Sequence, residues 1–149
     1  MKEMRMEEFM SAALEEAKLG LQEGGIPIGA VLVKEKKIIG HGHNRRVQKN
    51  DPLAHAETEC IHNAGRIGSF KKTIMFSTLM PCYYCAGALV QFGIDQLVVG
   101  DSITFHGAPE FLRDHWVSID EWNWRECIDL MEAFIQKNPA LWNEDIGKL

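Results

Sequence analysis

No run of apolar residues in the chain approaches the ~20 needed to span a bilayer. The opening stretch, "MKEMRMEEFMSAALEEA", carries acids where a signal peptide has a basic start and an apolar core. These absences make a cytoplasmic protein the expectation and give no membrane partner. Positive charge is thin as well: 16 Lys and Arg against 21 Asp and Glu leave a formal net charge of −5. The densest basic spots are "NRR" at 44–46 and "FKK" at 70–72. A protein that grips nucleic acid through many phosphates shows a basic face, so the balance favours a small neutral substrate over a polynucleotide. Cysteine is scarce too. Cys60, Cys82, Cys85 and Cys127 are too few and too unevenly spread for the disulfide framework of a secreted protein. Internal repeats and low-complexity segments are missing.

The chain has 149 residues, 46% of them hydrophobic and 25% charged, which suits one globular domain over 1–149. Residues 4–23 have helical periodicity, with Phe9, Ala13, Ala17 and Leu21 at spacing four and acids opposite. "EGG" at 23–25 ends that helix. "PIGAVLVKEKKIIGHGHN" reads as a hairpin, with strands at 28–33 and 38–43 around a polar turn. A loop leads to a helix from about residue 55, closed by Gly65. "KTIMFSTL" at 72–79 is a strand, "CYYCAGALVQFG" a helix stopped by Gly93, and "IDQLVVG" at 94–100 a further strand. A loop is expected at 101–116, then a short strand at "WVSID" and a long amphipathic helix over 121–137. "NPALWNEDIG" adds a final helical turn or two. Strands alternating with helices predict a partly parallel sheet covered on both faces, made mixed by the opening hairpin.

The chemistry concentrates at two helix starts. Cys82 and Cys85 form a C-x2-C pair directly after Pro81. Such a pair is half of a zinc site, a redox couple or two buried thiols. At a helix start the exposed N–H groups favour thiolate over thiol. His55 in "AHAETEC", also at a helix start, is the best third ligand. His62 shares its face but lies about 10 Å farther along the axis, too far for one ion. Cys60 points well around the helix. Three protein ligands leave one position for water, the arrangement of a catalytic rather than a structural zinc. Glu57 then becomes informative, because a carboxylate beside the metal but not on it can move the water's proton. His-x-Glu followed by Pro-Cys-x-x-Cys is the signature of zinc deaminases. Residues two apart do not share a helix face, so Glu57 must rely on first-turn geometry. Glu59 lies at the better helical spacing from His55 and reads as a structural carboxylate. A redox pair would leave His55 and Glu57 without a role, and Cys60 and Cys127 read as buried thiols.

With these motifs the chain resembles the cytidine-deaminase-like superfamily over nearly its full length. Within it the similarity is greatest to the fungal-type cytosine deaminases, which act on free bases. The likeness is carried by "QEGGIPIGAVLV", "GHGHNRR", "HAE", "TLMPCYYCAGALV", "VVGDSITF" and "LWNEDIG". "DPLAHAE" and "PCYYCAGA" also look like tRNA-adenosine deaminases, but those usually end in a basic helix, and here the end is acidic and aromatic. The resemblance implies a three-layer α/β/α sandwich around a five-stranded mixed sheet, and a homodimer. It implies one zinc ion held by His55, Cys82 and Cys85, with Glu57 as proton shuttle. It further implies substrate contacts from Asn44 and the Ala56 N–H, aromatic walls from Phe105 and Trp142, a polar contact from Asp145, and Ile28 as the floor. A flat aminopyrimidine with an edge of mixed donors and acceptors suits such a set.

The expected reaction is hydrolytic deamination of a free nucleobase, cytosine to uracil and ammonia. The chain departs from the fungal type at Met80, where a small polar residue is usual, at Ala56, which replaces glycine, and over 106–116. These departures bear on the substrate and leave isocytosine, guanine or an aminotriazine such as ammeline as alternatives. A tRNA adenosine deaminase is a more distant one.

Overall fold

The computed structural model describes residues 5–148. The elements are α1 (Met6–Gln22), β1 (Gly29–Lys34), β2 (Lys37–His43), α2 (Arg46–Lys49), α3 (Ala56–Ala64) and β3 (Thr73–Ser77). They continue with α4 (Tyr83–Phe92), β4 (Gln96–Val99), α5 (Pro109–Asp114), β5 (Ser118–Glu121), α6 (Arg125–Lys137) and α7 (Pro139–Asp145). The five strands form one sheet in the order β2-β1-β3-β4-β5. β1 runs antiparallel to β2 and to β3, while β3–β4 and β4–β5 are parallel. The sheet is therefore mixed, because the β1–β2 hairpin closes through a tight turn whereas helices carry the crossovers to β4 and β5.

Alternation along the strands divides the core in two. Val31, Val33, Phe76 and Val98 pack on one face with Phe9, Met10 and Ala13 of α1. Ala30, Leu32, Met75, Leu97 and Val99 face the opposite way and meet Cys60 of α3, Ala86 and Leu89 of α4 and Leu112 of α5. This is the three-layer α/β/α arrangement. Two glycines set how closely α3 lies on β2: a Cβ on Gly40 would stand 2.6 Å from the Cys60 carbonyl oxygen, and one on Gly42 would stand 2.7 Å from the Cys60 nitrogen. Gly40 and Gly42 thus let the body of α3 lie directly on the hairpin.

Several expectations need correction. Leu21 is exposed, and α1 instead buries Met10, Leu14 and Gly20 beside Phe9, Ala13 and Ala17. Residue 4, the expected start of that helix, lies outside the described residues. The segment 101–116 is not all loop, since Pro109 opens α5 with its φ preset and Leu112 buries the helix. The last long helix begins at Arg125 rather than 121. Residues 122–124 prolong the sheet edge instead, with Trp122 N–H donating to Val99 O and Trp124 N–H to Gly100 O, both at 2.8 Å. The short α2 is an addition to the expected elements. It ends on Asn50 at φ 50°, ψ 48°, the left-handed cap that asparagine tolerates.

Candidate active site

Register fixes where the site stands. Gly29 pairs with His43 and Ala30 with Ser77, so Ile28, Asn44 and Thr78 emerge together at one end of the sheet. The parallel neighbours β3 and β4 end at the same level, and their loops carry Cys82 and Phe105. Ligand sites of open α/β sheets gather at such strand ends. Two hydrogen bonds lock the junction: Asn44 N–H donates to Ile28 O at 2.9 Å, and Gly29 N–H to Thr78 Oγ1 at 3.0 Å.

His55 and Cys82 are the N-cap residues of α3 and α4, both with extended backbone. A cap lies outside helical periodicity, which is how His55 and Glu57 come to serve one site although they are two residues apart. His55, Cys82 and Cys85 place one ligand atom each within 4.8 Å of one another. His55 Nδ1 and Cys82 Sγ are 3.5 Å apart. Tetrahedral zinc with bonds of ~2.0–2.3 Å separates its ligands by ~3.3–3.8 Å, so this soft donor set fits zinc. His55 Nε2–H donates to the Pro52 carbonyl at 3.1 Å, which leaves Nδ1 as the atom aimed at the cluster. Glu57 is buried beside the three ligands.

Proximity perturbs every titratable group here. The Cys85 S–H bond to Cys82, stronger than the opposing effect of burial, holds the Cys82 thiol down to about 4, with His55 helping. Burial pushes Cys85 well above the ordinary thiol value. Burial alone would lower His55, but the hydrogen bond and charge of Cys82, with Asp145 and Glu57, raise it to about 9. Burial, then the Cys82 charge, raise Glu57 to about 7 against the pull of His55. Without a cation, then, the centre is a thiolate–imidazolium pair beside a carboxyl poised near neutrality.

Above this centre is a small pocket that opens to solvent. Its lining contains every residue singled out for substrate contact: Ile28, Asn44, Ala56, Phe105, Trp142 and Asp145. Phe105 and Trp142 meet edge to face at 5.4 Å. The Phe105 loop is held by buried Asp101, whose carboxylate accepts from the Ile103 and Thr104 N–H groups and the Thr104 hydroxyl at 2.9, 3.0 and 2.5 Å. Asn44 Oδ1 accepts from Arg46 N–H at 3.0 Å, while its buried Nδ2 has no hydrogen-bond partner. Asp145 Oδ1 is likewise buried without one, 3.8 Å from His55 Nε2. Burial raises the Asp145 carboxyl, with the charges of His55 and Arg46 and a hydrogen bond from the Asn44 side chain opposing. An amide donor and a carboxylate acceptor thus sit side by side in one cavity, without a short hydrogen bond to the rest of the protein at Asn44 Nδ2 or Asp145 Oδ1.

The remaining candidates are structural. Glu59 accepts from Lys49 Nζ at 3.1 Å, Cys60 and Cys127 are buried thiols, and His62 is exposed. Sequence reasoning missed Leu79, Met80 as a wall, Ile146, and the supporting Pro52 carbonyl and Arg46. None carries a spacing signal, and Arg46 registered only as charge within "NRR".

Residues 4–101 match the family model for the cytidine and deoxycytidylate deaminase zinc-binding region. A cytosine deaminase of Candida albicans is 39% identical over 142 residues, covering 93% of this chain and 95% of its own. A tRNA:A34 deaminase, solved in work on A-to-I editing at the wobble position of transfer RNA, superposes with a TM-score of 0.73 at 29% identity, covering 83% of this chain and 99% of that one. The guanine deaminase of Bacillus subtilis superposes with a TM-score of 0.62 at 26% identity, covering 92% and 78%.

Proposed function

From the chain's membership of the cytidine and deoxycytidylate deaminase zinc-binding family, which makes it a zinc-dependent hydrolytic deaminase, we propose that it converts free cytosine to uracil and ammonia. The observation that carries this reading is the convergence of a buried amide and a buried carboxylate, Asn44 and Asp145, on one cavity beside the metal ligands. A cytosine ring supplies a carbonyl acceptor and N–H donors on adjoining edges. Phe105 and Trp142 bound the space in which a flat ring would lie, and Ile28 and Ala56 line it beside them. Ala56 opens α3, where a first-turn N–H has no intrahelical acceptor, so it is free for the ring carbonyl.

His55, Cys82 and Cys85 would hold one zinc ion, which when bound supplies an activated water as nucleophile at neutral pH. Glu57 takes that water's proton and delivers it to the ring nitrogen beside the amino-bearing carbon. The oxygen bonds to that carbon. Glu57 then takes the remaining proton from that oxygen and passes it to the amino nitrogen; the C–N bond breaks, its electron pair leaves with ammonia, and the oxygen stays on the ring as the carbonyl of the product. Asn44 and Asp145 orient the ring, and the aromatic walls exclude bulk water.

Trp142, Asp145 and Ile146, all from α7 or its end, cover the pocket. That cover, with the acidic balance of the chain, favours a free base over a nucleotide within tRNA. Met80 in the wall leaves isocytosine, guanine and an aminotriazine such as ammeline as competing free bases. The domain is taken as the whole chain, 1–149. All four cysteines are free, which suits a reducing, cytoplasmic setting. Exposed Leu53, Tyr83, Tyr84 and Phe92 offer an apolar face for a second copy in a homodimer.

The test is an ammonia readout on the zinc-loaded protein with a panel of free bases, nucleosides and a tRNA substrate. Turnover of cytosine well above the others supports the proposal. Preference for guanine or a triazine would replace the substrate, and activity confined to tRNA would overturn the free-base reading.

A further inference from the structure

Arg46 joins three separate parts of the site. Its backbone N–H holds Asn44 Oδ1 at 3.0 Å and so fixes the amide in the cavity wall. Its guanidinium reaches α7 in two places, with Nη2 3.2 Å from Glu144 Oε1 and Nε 3.8 Å from Asp145 Oδ1. Its Nη1 lies 3.5 Å from the Pro52 carbonyl, the group that also receives the Nε2–H of His55. The side chain is mostly buried, at 18% exposure, in the crease between α2 and α7 that Val47, Asn50 and Leu141 also line. An α7 of seven residues is too short to hold itself in place by helix formation. Besides the Trp142 ring and the approach of Asp145 to His55, Arg46 ties it to the pocket at two of its residues, Glu144 and Asp145.

We infer that Arg46 is the positioning residue that docks α7 over the pocket and sets Asp145 in register with Asn44. It touches no reacting atom. Its planar fork reaches Glu144 and Asp145 from a single side chain, a geometry lysine cannot reproduce. The inference deepens the deaminase reading and rests on it only for its kinetic arm.

The experiment compares wild type with Arg46→Met, which keeps the aliphatic stem, and Arg46→Lys, which keeps the charge. In the zinc-loaded, substrate-free protein, mass spectrometry follows hydrogen exchange over 139–146. In Arg46→Met the exchange of that segment rises about fivefold, as loss of a partly buried ion pair predicts, while the rest of the chain exchanges as before. The KM for the preferred base rises by a similar factor at unchanged kcat and zinc content. Arg46→Lys recovers part of both effects. Added salt moves the wild-type KM towards that of Arg46→Met and leaves the variant's unchanged.

Unchanged exchange over 139–146 overturns the inference. So does acceleration spread through α1 and the strands, which would mean general destabilisation, and so does a fall in kcat at constant KM. If the wild type turns over no base, the deaminase reading fails while the exchange comparison still decides the role of Arg46.

Discussion

Glu57→Gln should separate two consequences of burying a carboxyl beside the metal ligands. In the unfolded chain Glu57 titrates at the ordinary 4.5, and in the folded, metal-free chain at about 7. Between those values the folded chain keeps a proton that the unfolded chain has lost. Stability therefore falls as pH rises through that window and levels off above it. At 1.36 kcal/mol per pH unit the cost is ~3 kcal/mol. Glu57→Gln removes it. The metal-stripped variant should gain ~3 kcal/mol on metal-stripped wild type between pH 4.5 and pH 7.5, whatever fixed cost the new amide carries. Urea unfolding at a series of pH values, with m-values compared to confirm two-state behaviour, reads the difference. The zinc-loaded variant should meanwhile lose about 10²–10⁴ in kcat, the range for a positioned acid–base group, with metal content intact. A stability difference that does not change with pH would show that Glu57 is not held in a desolvated site. Wild-type kcat would remove it from the chemistry.

Zinc binding at pH 7 should release about two protons: Cys85, well above its ordinary value, and His55, at about 9, both enter the reaction protonated, whereas Cys82, at about 4, is already a thiolate. Titration calorimetry in buffers of different ionisation enthalpy counts them, and a count near zero would contradict the thiolate–imidazolium picture. Asp145→Ala should raise KM about 10–100-fold, the value of one buried charged hydrogen bond, while kcat changes little. An unchanged KM in steady-state assays would take Asp145 out of substrate binding.

The metal ligands and Glu57 are legible in the residue order itself. They are short-range patterns, two helix starts each with a fixed spacing, and such signals survive in one dimension. Strands β1 to β4 follow from alternation and from glycines that stop helices. The pocket wall follows mostly from resemblance: Trp142 and Asp145, three residues apart, share a helical face, but nothing in the spacing brings Phe105 or Asn44 to them. What escapes is local geometry that depends on distant partners. Trp122 and Trp124 continue the sheet edge because Val99 and Gly100 offer them carbonyls, so α6 starts late. Leu21 has an apolar side chain at the expected spacing, yet it is Gly20 that meets His43 of β2, and Leu21 stays exposed. Arg46 looks like any surface cation until α7 is folded back on it.

The matched family segment ends at residue 101, and Phe105, Trp142 and Asp145 all come after it. The donor atoms and one side of the cavity, with Ile28, Asn44 and Ala56, are written in the first two thirds of the polypeptide, and its aromatic side in the last. Drift in the final third can therefore reshape that aromatic side while the donor atoms stay untouched.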